Sequence, residues 1–420
     1  MNCITIAPCK NRKTIRIFGK IADLAVLINS VCFTLAICSG VVALLLASLH
    51  IFVSYITFFV FVFTAFISFF VSIFFGKGIK INKYSAFLYM IVVLVFLFSL
   101  VFRPDNRQSI IKYFVQFLGI GTSMFAISCI EVDHKKVLTY VMYSGAILVP
   151  FLYFVKQYAV VNTYNYNVLE MGTSYVFLLP ISATLIHLFF FRRKNIFLII
   201  IYILNACLFI FWIIYSVRGP LLSFGLLLLF LIMKKILSFE RKKRISRTVV
   251  FACAIAFFAF LVYVTLPLIV GALEKNNIHI SFLEKTLLLF QRSGSITNGR
   301  DDIYDHVLSL IDGHFIFGRG IGFYQQVFDT YPHNIVLQLL LEMGFLPVLV
   351  LFFFLIAFFF FTFKDNIYEN EWECVLILLF FNSIPRLLVS SYLWQDHVFW
   401  LFLFISINVI SKKYESTLLK

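Results

Sequence analysis

Three residues that can carry chemistry lie in the segment 299–344, the long polar interruption late in a chain that is otherwise almost continuously apolar: Arg300, Arg319 and His333. The guanidinium of an arginine can hold a phosphate through two parallel N–H···O bonds. The imidazole of an unperturbed histidine titrates at about pH 6.5, so it can take a proton near neutral pH. A membrane protein has little reason to keep such a segment unless it handles something polar at the bilayer surface. The sequence therefore predicts that the chemistry takes place here.

The composition indicates the class of protein that must position these residues. Of the 420 residues, 62% are hydrophobic and 13% are charged, against about 45–50% and 25% in a soluble domain. Mean hydropathy is +0.97. The fold class predicted is an all-α polytopic membrane protein, because backbone groups inside a bilayer must bond within their own segment and these runs lack the alternation of a β-barrel. The net charge of +15 could suggest a nucleic acid partner, but the distribution of that charge excludes it.

The apolar runs predict about twelve spans of roughly twenty residues each, all within one integral membrane domain, 1–420. They lie near 21–46, 52–75, 85–102, 109–129, 137–155, 170–190, 196–214, 220–233, 248–271, 334–363, 374–390 and 395–411. Most Lys and Arg fall in the connections on the side of the N-terminus, so the positive-inside rule places both termini in the cytoplasm. None of the eight cysteines lies in a predicted external loop, so no disulfide framework is expected.

The positive charges differ between the two predicted faces. Cytoplasmic positives cluster in short runs such as ERKKR at 240–244, which are typical of topology signals and anionic-lipid contacts. External positives are scattered singly and are nearly all arginine, the residue suited to phosphate. The arginines among them are Arg103, Arg107, Arg218, Arg292, Arg300, Arg319 and Arg386.

The longest external connection is the predicted periplasmic loop 272–333. Within it, Asn298 is expected to cap a helix over 300–312, with Ile303, Val307, Leu308 and Ile311 at helical spacing. This pattern predicts an amphipathic helix lying on the membrane surface. Three alternate glycines follow at 318–322, but no βαβ unit surrounds them, so a dinucleotide fingerprint is excluded. They favour tight turns and a close approach to a ligand or a neighbouring helix.

The tripeptide Pro332-His333-Asn334 opens the tenth predicted span. Pro fits the first turn of a helix, so His333 is placed at the external mouth of a transmembrane helix, where exposed N–H groups favour an anion. Glu342 lies nine positions into this span. An intramembrane carboxylate is a functional candidate, and a buried hydrogen-bonded partner of a neighbouring helix is an equal alternative.

Three groups of motifs stand out in the second half of the chain: SVRGPLLSF at 216–224, then GR, IYDHVLSLI and FGRGIG in the external loop, and YPHNIVLQLLLEMG at 331–344. Through these motifs the chain, over about 200–411, resembles the O-antigen ligase and polymerase superfamily of bacterial envelope glycosyltransferases. The N-terminal spans agree with the family in number and hydrophobicity.

The resemblance implies a GT-C-like membrane fold and a metal-independent glycosyl transfer at the periplasmic face of the inner membrane, without a cofactor. The implied donor and partner is an undecaprenyl-diphosphate-linked oligosaccharide, and a chain-length-determining membrane protein is a further possible partner beside the bilayer. Arg218 and Arg300 would hold the donor diphosphate and His333 would act on the acceptor hydroxyl. Arg319 and Arg386 are further candidates for the diphosphate. Asp396 and Glu342 are candidates for orienting the acceptor.

Plainer interpretations of these residues stay open. Arg218 can extend to the headgroups from a helix end, Arg300 can pair with Asp301, Asp302 or Asp305, and His333 can serve as an interfacial cap. Three functions compete: an O-antigen polymerase, which is favoured, a ligase that transfers the glycan to lipid A–core, and a flippase for the same lipid-linked sugar. A carrier usually needs polar residues along a central path. Here the polar candidates collect on one predicted face, which favours an enzyme.

Overall fold

The computed structural model describes residues 12–51, 56–76, 78–163, 166–191, 195–238, 248, 265, 267–272, 275, 300–364 and 371–418. The ninth predicted span and Asn298 therefore lie largely or wholly outside the described residues. The first half of the described chain forms α1 (Arg12–Ile37), α2 (Ser39–Ser48), α3 (Ile56–Phe74), α4 (Lys83–Phe102), α5 (Arg107–Ser128), α6 (His134–Leu148), α7 (Leu152–Ala159), a hairpin of β1 (Val160–Thr163) and β2 (Tyr166–Leu169), α8 (Met171–Phe190), α9 (Ile196–Tyr215) and α10 (Arg218–Leu237). The second half forms α11 (Asp301–Ile311), α12 (Phe323–Phe328), α13 (Ile335–Met343), α14 (Phe345–Lys364), α15 (Glu371–Val389) and α16 (His397–Leu418).

Ten helical segments in the described part of the chain are long and apolar enough to cross a membrane. The prediction of an all-α polytopic membrane protein is therefore confirmed, apart from the small antiparallel hairpin that pairs Val160 with Leu169. The segments Ser39–Ser48 and His397–Lys412 are shorter apolar helices. The first predicted span is thus two helices, α1 and α2, that meet at Cys38, and the prediction of one continuous helix over 21–46 is wrong.

Two helices form the centre of the molecule. Of the apolar stretch that could cross the membrane, 78% is buried inside the protein in α15 and 67% in α8. In contrast, α14 is only 11% buried and exposes Phe352, Phe353 and Phe360. Lipid chains are as apolar as these side chains, so an outer helix gains nothing by hiding them. The central position of α15 matters because its C-terminal end carries the candidate site.

The tenth predicted span is wrong as a single helix. The chain breaks at Gly344, whose φ is +83°, between α13 and α14. A Cβ at Gly344 would lie 2.0 Å from the carbonyl oxygen of Ile316, so only glycine allows this approach. A predicted run of thirty residues exceeds the roughly twenty that cross a bilayer, and α14 alone is long enough to do so. His333 therefore stands at the start of the short helix α13, and not at the mouth of a transmembrane helix.

The short helices α11, α12 and α13 pack on one another. Val307 and Ile311 of α11 are buried with Tyr324 and Leu341, while Leu308 is 54% exposed. The predicted helix is confirmed. Its apolar face packs against other helices of the protein, however, and Leu308 does not belong to that face. The expectation of a helix lying with that face in the membrane surface is corrected accordingly.

Candidate functional site

The C-terminal end of α15 gathers side chains from distant parts of the chain. Nη1 of Arg300 donates to the carbonyl oxygen of Val389, and Oη of Tyr331 donates to that of Ser390 at 2.8 Å. The last carbonyl groups of a helix have no partner within the helix and carry partial negative charge. A guanidinium and a phenol satisfy them here. These two bonds tie the segment that contains α11, α12 and α13 to the central helix. We use the name α15 end for Val389 and Ser390 together with the side chains that gather around them.

His333 follows Tyr331 at the α15 end. The two rings lie 4.0 Å apart between centroids, and the φ of His333 is +55°, an unusual backbone conformation for a side chain other than glycine. Asn334 then caps α13 by accepting the N–H groups of Val336 at 2.9 Å and Leu337 at 3.3 Å. Nδ1 of His333 is buried and has no hydrogen-bond partner among the described residues. An imidazole that has a strained backbone, lies against a tyrosine ring and has a buried nitrogen without a partner is suited to meet a ligand group.

The surroundings of His333 change its protonation. Burial, and after it the positive charge of Arg300, together lower the pKa of the imidazole to about 4. The sequence suggested titration near pH 6.5, and this expectation is corrected. Because the ring is neutral at neutral pH, it holds a lone pair that can accept a proton.

Arg386 lies on the last turn of α15. Its guanidinium carbon is 4.9 Å from the ring centroid of Tyr175, and Nη1 is 3.8 Å from Oδ2 of Asp396. Nε is buried without a hydrogen-bond partner in the described part of the chain. Arg386 and Arg300 both act electrostatically on the Tyr331 phenol, opposing the rise in its pKa that burial causes. Tyr331 therefore lies within the field of two guanidinium groups.

Asp396 is engaged by the protein on both oxygens. Oδ1 accepts the N–H of Phe399 at 2.9 Å, which caps α16, and Oδ2 accepts Oγ–H of Ser391 at 3.4 Å. The side chain is 2% exposed. This geometry lets Asp396 position Arg386, and its role towards an acceptor stays a prediction.

Arg218 begins α10 beside the same place. A Cβ on the adjacent Gly219 would lie 2.7 Å from Oη of Tyr175 and 3.4 Å from Val389. Tyr175 in turn accepts a hydrogen bond from Oγ of Ser390 at 3.0 Å. Tyr175 therefore adjoins the backbone at the start of α10 and the guanidinium of Arg386. The described contacts bring Arg300, His333 and Arg386 to the α15 end and place the start of α10, with Arg218, beside it.

The side chain of Arg319 makes its contacts away from the α15 end. Its Nε donates to the carbonyl oxygen of Leu310 at 2.6 Å, its backbone N–H donates to Leu341 at 2.6 Å, and its guanidinium lies 5.2 Å from the ring of Phe323. These contacts fasten the loop to α11 and α13. Geometry therefore gives Arg319 a structural role and offers no support for its predicted contact with the diphosphate.

Glu342 is buried, at 2% exposure, among donors. Its oxygens accept Oη–H of Tyr392 at 2.7 Å, Nε1–H of Trp394 at 2.8 Å, and the backbone N–H of Gly322 at 3.2 Å. Burial raises the pKa of Glu342 to about 7, although these hydrogen bonds oppose the rise. The geometry fits the second alternative from the sequence, a buried hydrogen-bonded partner. Glu342 joins the glycine-rich loop to the turn before α16.

The glycine-rich loop makes the close approach that its sequence predicts. Gly318 has a φ of +65°, and a Cβ there would lie 2.5 Å from the backbone carbon of Glu342. Nη2 of Arg103 donates to the carbonyl oxygen of Gly318 at 2.6 Å, and Nδ2 of Asn106 donates to that of Arg319 at 2.9 Å. The loop is thus fixed between α13 and the connection from α4 to α5.

Sequence reasoning missed several members of this arrangement. Tyr331 had a weak signal, since it stands two residues before His333 in the quoted motif. Tyr175 and Ser390 had none, because a Tyr in an apolar span and a Ser after one are ordinary features. Within the described residues, no group of three or more His, Cys, Asp or Glu could hold a metal ion. The metal-independent reaction stays a prediction.

Comparison with known proteins finds a similarity over part of the chain. A family model described as O-antigen ligase (Wzy_C) matches residues 203–353. The matched segment runs from α9 into α14 and contains Arg218, Arg300 and His333, whereas Arg386 and Asp396 lie beyond it. No curated protein matches the chain. The match confirms the resemblance predicted from the sequence, and the family indicates glycosyl transfer of the ligase and polymerase type.

Proposed function

We propose that this chain, a member of the O-antigen polymerase and ligase superfamily, polymerises undecaprenyl-diphosphate-linked repeat units at the periplasmic face of the inner membrane. In this proposal the growing glycan on its lipid carrier is the donor, and a hydroxyl of a single lipid-linked repeat unit is the acceptor. The new C–O bond forms at the anomeric carbon of the donor. The bond from that carbon to the diphosphate oxygen breaks, and the diphosphate leaves with the electron pair.

The arginines at the α15 end supply the charge that this reaction needs. A lipid diphosphate is an anion at the edge of hydrocarbon, where a fixed guanidinium interacts much more strongly than in water. Arg300 and Arg386 approach Tyr331 from two elements, and Arg218 stands at the start of a third. We assign them to the donor diphosphate. They stabilise the negative charge that grows on the leaving group.

His333 accepts the proton of the acceptor hydroxyl on Nδ1 in this mechanism. Its pKa of about 4 in the free protein is low for this task, but Arg300 is one cause of the lowering. A bound diphosphate would offset that positive charge and raise the pKa of the imidazole. Donor binding would therefore strengthen the base only when the leaving group is in place.

One observation carries this proposal. The buried Nδ1 of His333 has no hydrogen-bond partner among the described residues and lies within the electrostatic reach of Arg300 at the α15 end. A buried polar atom without a partner costs free energy, so a structural role alone gives no reason to keep it. A substrate hydroxyl would supply the partner.

A deletion strain of the source bacterium tests the proposal. Complementation with the wild-type chain should restore a ladder of surface polysaccharide on a gel, whereas His333→Ala should give no ladder at equal abundance in the membrane. His306→Gln is the matched control, because His306 is exposed and stacks on Phe328 instead of facing the α15 end. A normal ladder with His333→Ala would remove this residue from the mechanism.

Ligation is the second candidate, favoured by the printed description of the matched family. A ligase would use the same donor site and pass the glycan to lipid A–core. The same deletion strain separates the two functions. Loss of a polymerase leaves one repeat unit on the core, and loss of a ligase leaves none.

A further inference from the structure

Three large apolar side chains stand next to one another on the surface between α11 and α12. Phe315, Ile316 and Phe317 are 48%, 67% and 80% exposed, and together they form one turn of the chain. Single exposed apolar residues are ordinary, but a contiguous exposed patch marks a surface that meets another apolar body. We call these three residues the 315–317 turn, and its exposure calls for a partner.

The backbone holds the 315–317 turn firmly in place. The N–H of Phe345 donates to the carbonyl oxygen of Phe315 at 2.9 Å, and the rings of these two residues stack with their centroids 5.0 Å apart. The carbonyl oxygen of Ile316 lies against Gly344, where a Cβ would come within 2.0 Å of it. The turn therefore presents its side chains in a set direction and is not the tip of a loose loop.

The turn lies between the ends of two helices that face lipid. Nη2 of Arg103, the residue after α4, donates to the carbonyl oxygen of Gly318 at 2.6 Å, and Phe345 is the first residue of α14. Only 17% of the apolar stretch of α4 and 11% of that of α14 is buried. At these ends Phe102 is 69% exposed and Leu346 is 68% exposed. The turn thus continues a belt of apolar side chains at the level where both helices leave the bilayer.

This position selects the bilayer as the partner. Helices that expose Phe and Leu have acyl chains as their neighbours, so lipid reaches the ends of α4 and α14 that flank the turn. A protein partner would have to displace lipid from both helices. We propose that the 315–317 turn inserts into the leaflet on the side of the α15 end and that acyl chains cover its three side chains. The contact with the membrane surface that the sequence predicts for α11 is then made by the turn that follows this helix.

The insertion sets the height of the candidate site. The chain runs from the turn directly into Gly318, which packs on the backbone of Glu342 in α13, and α13 begins two residues after His333. Holding the turn in the acyl chains therefore fixes the depth of α13 relative to the headgroups. The inference concerns membrane contact alone and does not rest on the proposed reaction.

A fluorescent ring in the turn reports its surroundings. Phe317→Trp exchanges one exposed ring for another, and the intact protein is reconstituted in phosphatidylcholine vesicles whose acyl chains carry bromine either near the headgroup or near the terminal methyl. Bromine quenches an indole in contact with it. Subtracting the emission of the unchanged chain removes the signal of the four native tryptophans. We expect clear quenching in Phe317→Trp, and stronger quenching by the bromines near the headgroup than by those near the methyl end.

Two controls bracket this result. Phe353→Trp makes the same exchange on α14, where Phe353 is 62% exposed and lies about eight residues or about 12 Å beyond Phe345. Its indole stands deeper in the bilayer, so the preference between the two brominated lipids should be reversed. Asp305→Trp places an indole at an exposed position of α11 and should be quenched mainly by acrylamide in the water.

A charge should push the turn out of the leaflet. In a chain that carries Ile316→Trp as the reporter, adding Phe317→Asp should lower quenching by the brominated lipids by about half or more, because a carboxylate resists entry into hydrocarbon. Val327→Asp is the matched control, since Val327 is 55% exposed but lies on α12, outside the turn. It should leave the quenching unchanged, and thermal unfolding shows that each variant is folded.

Three results would overturn the proposal. Quenching of Phe317→Trp by acrylamide as strong as that of Asp305→Trp would place the turn in water. Quenching by neither acrylamide nor brominated lipid would show that a protein surface covers the turn. Equal lipid quenching in the Phe317→Asp and Val327→Asp variants would show that the turn does not enter the bilayer.

Discussion

At the scale of single residues, the α15 end combines a neutral base with fixed positive charges. His333 stays unprotonated because burial and Arg300 both disfavour the imidazolium. The same arginine satisfies the carbonyl of Val389, so its position is set by the central helix. One guanidinium thus serves structure, electrostatics and, in our proposal, donor binding.

The pH dependence of kcat/KM tests this arrangement. The base must be neutral to act, so activity should fall as the pH drops through the pKa of His333, about 4, and not near 6.5. Arg300→Gln removes the positive charge, so the pKa rises and the acidic limb should move to higher pH, even though the rate itself is lower. Arg300→Lys keeps the charge and should leave the limb in place. An identical limb in the Gln and Lys variants would contradict the electrostatic role.

The titration of Glu342 predicts that the stability of the protein falls as the pH rises. Its pKa of about 7 in the folded protein lies above the ordinary value of 4.5 for a glutamate, so its contribution to stability is complete at acidic pH and is lost as the pH rises through about 7. Glu342→Gln removes this titration. The melting temperature of the wild type should therefore decline relative to that of the variant between about pH 4.5 and 7. The exposed Asp305→Asn is the control and should follow the wild type, and parallel curves for Glu342→Gln would refute the assignment.

At the scale of elements, the break between α13 and α14 allows the site to form. α13 turns away from the path of α14 and packs on α11 and α12, which carries His333 to the α15 end. Gly344 makes the turn at a positive φ against the backbone of Ile316. A continuous helix over 334–363 would instead take its first residues into line with α14.

Gly344→Ala should therefore destabilise the protein by about 2 kcal/mol or more, because a side chain is strained at this φ and meets a carbonyl oxygen. Gly225→Ala is the matched control, since Gly225 lies within α10 and a Cβ there meets no atom within 4 Å. Thermal unfolding of the purified proteins measures both. Equal melting temperatures would show that the break does not depend on glycine.

The elements also show how far the sequence could go. Apolar runs predicted most of the helices because the bilayer fixes their length and composition, and the polar segment 299–344 predicted where Arg300 and His333 lie. The break at Gly344 was missed because its cause is a contact with Ile316, which no periodicity reveals. Tyr331 and Tyr175 were missed because they matter through contacts with Ser390, across long separations in the chain. The separate position of Arg319 was missed for the same reason.

At the scale of the whole molecule, the two ends have different chemistry. One end gathers single arginines around His333, and the other carries lysines such as Lys234 and Lys235 in the last turn of α10. The positive-inside rule predicts that the lysine end faces the cytoplasm. In this orientation the α15 end faces the periplasm, which is the side where our proposal places glycosyl transfer.

Labelling of introduced cysteines in intact cells checks the orientation. Asp302→Cys in α11 should react with a membrane-impermeant maleimide added from the periplasmic side, whereas Lys235→Cys should react only after the inner membrane is opened. The unchanged chain measures labelling of its own cysteines. Reversed labelling of the two positions would place the α15 end in the cytoplasm and refute the proposed reaction.

The central claim is that the arginines at the α15 end jointly hold a lipid diphosphate, and direct binding of undecaprenyl diphosphate to the purified protein tests it most closely. We predict that Arg300→Gln and Arg386→Gln each weaken binding by about tenfold or more, since each removes a charge-assisted contact. Arg319→Gln should bind like the wild type at a temperature where it is folded. Wild-type affinity in the Arg300 and Arg386 variants, or a loss confined to Arg319→Gln, would contradict the account.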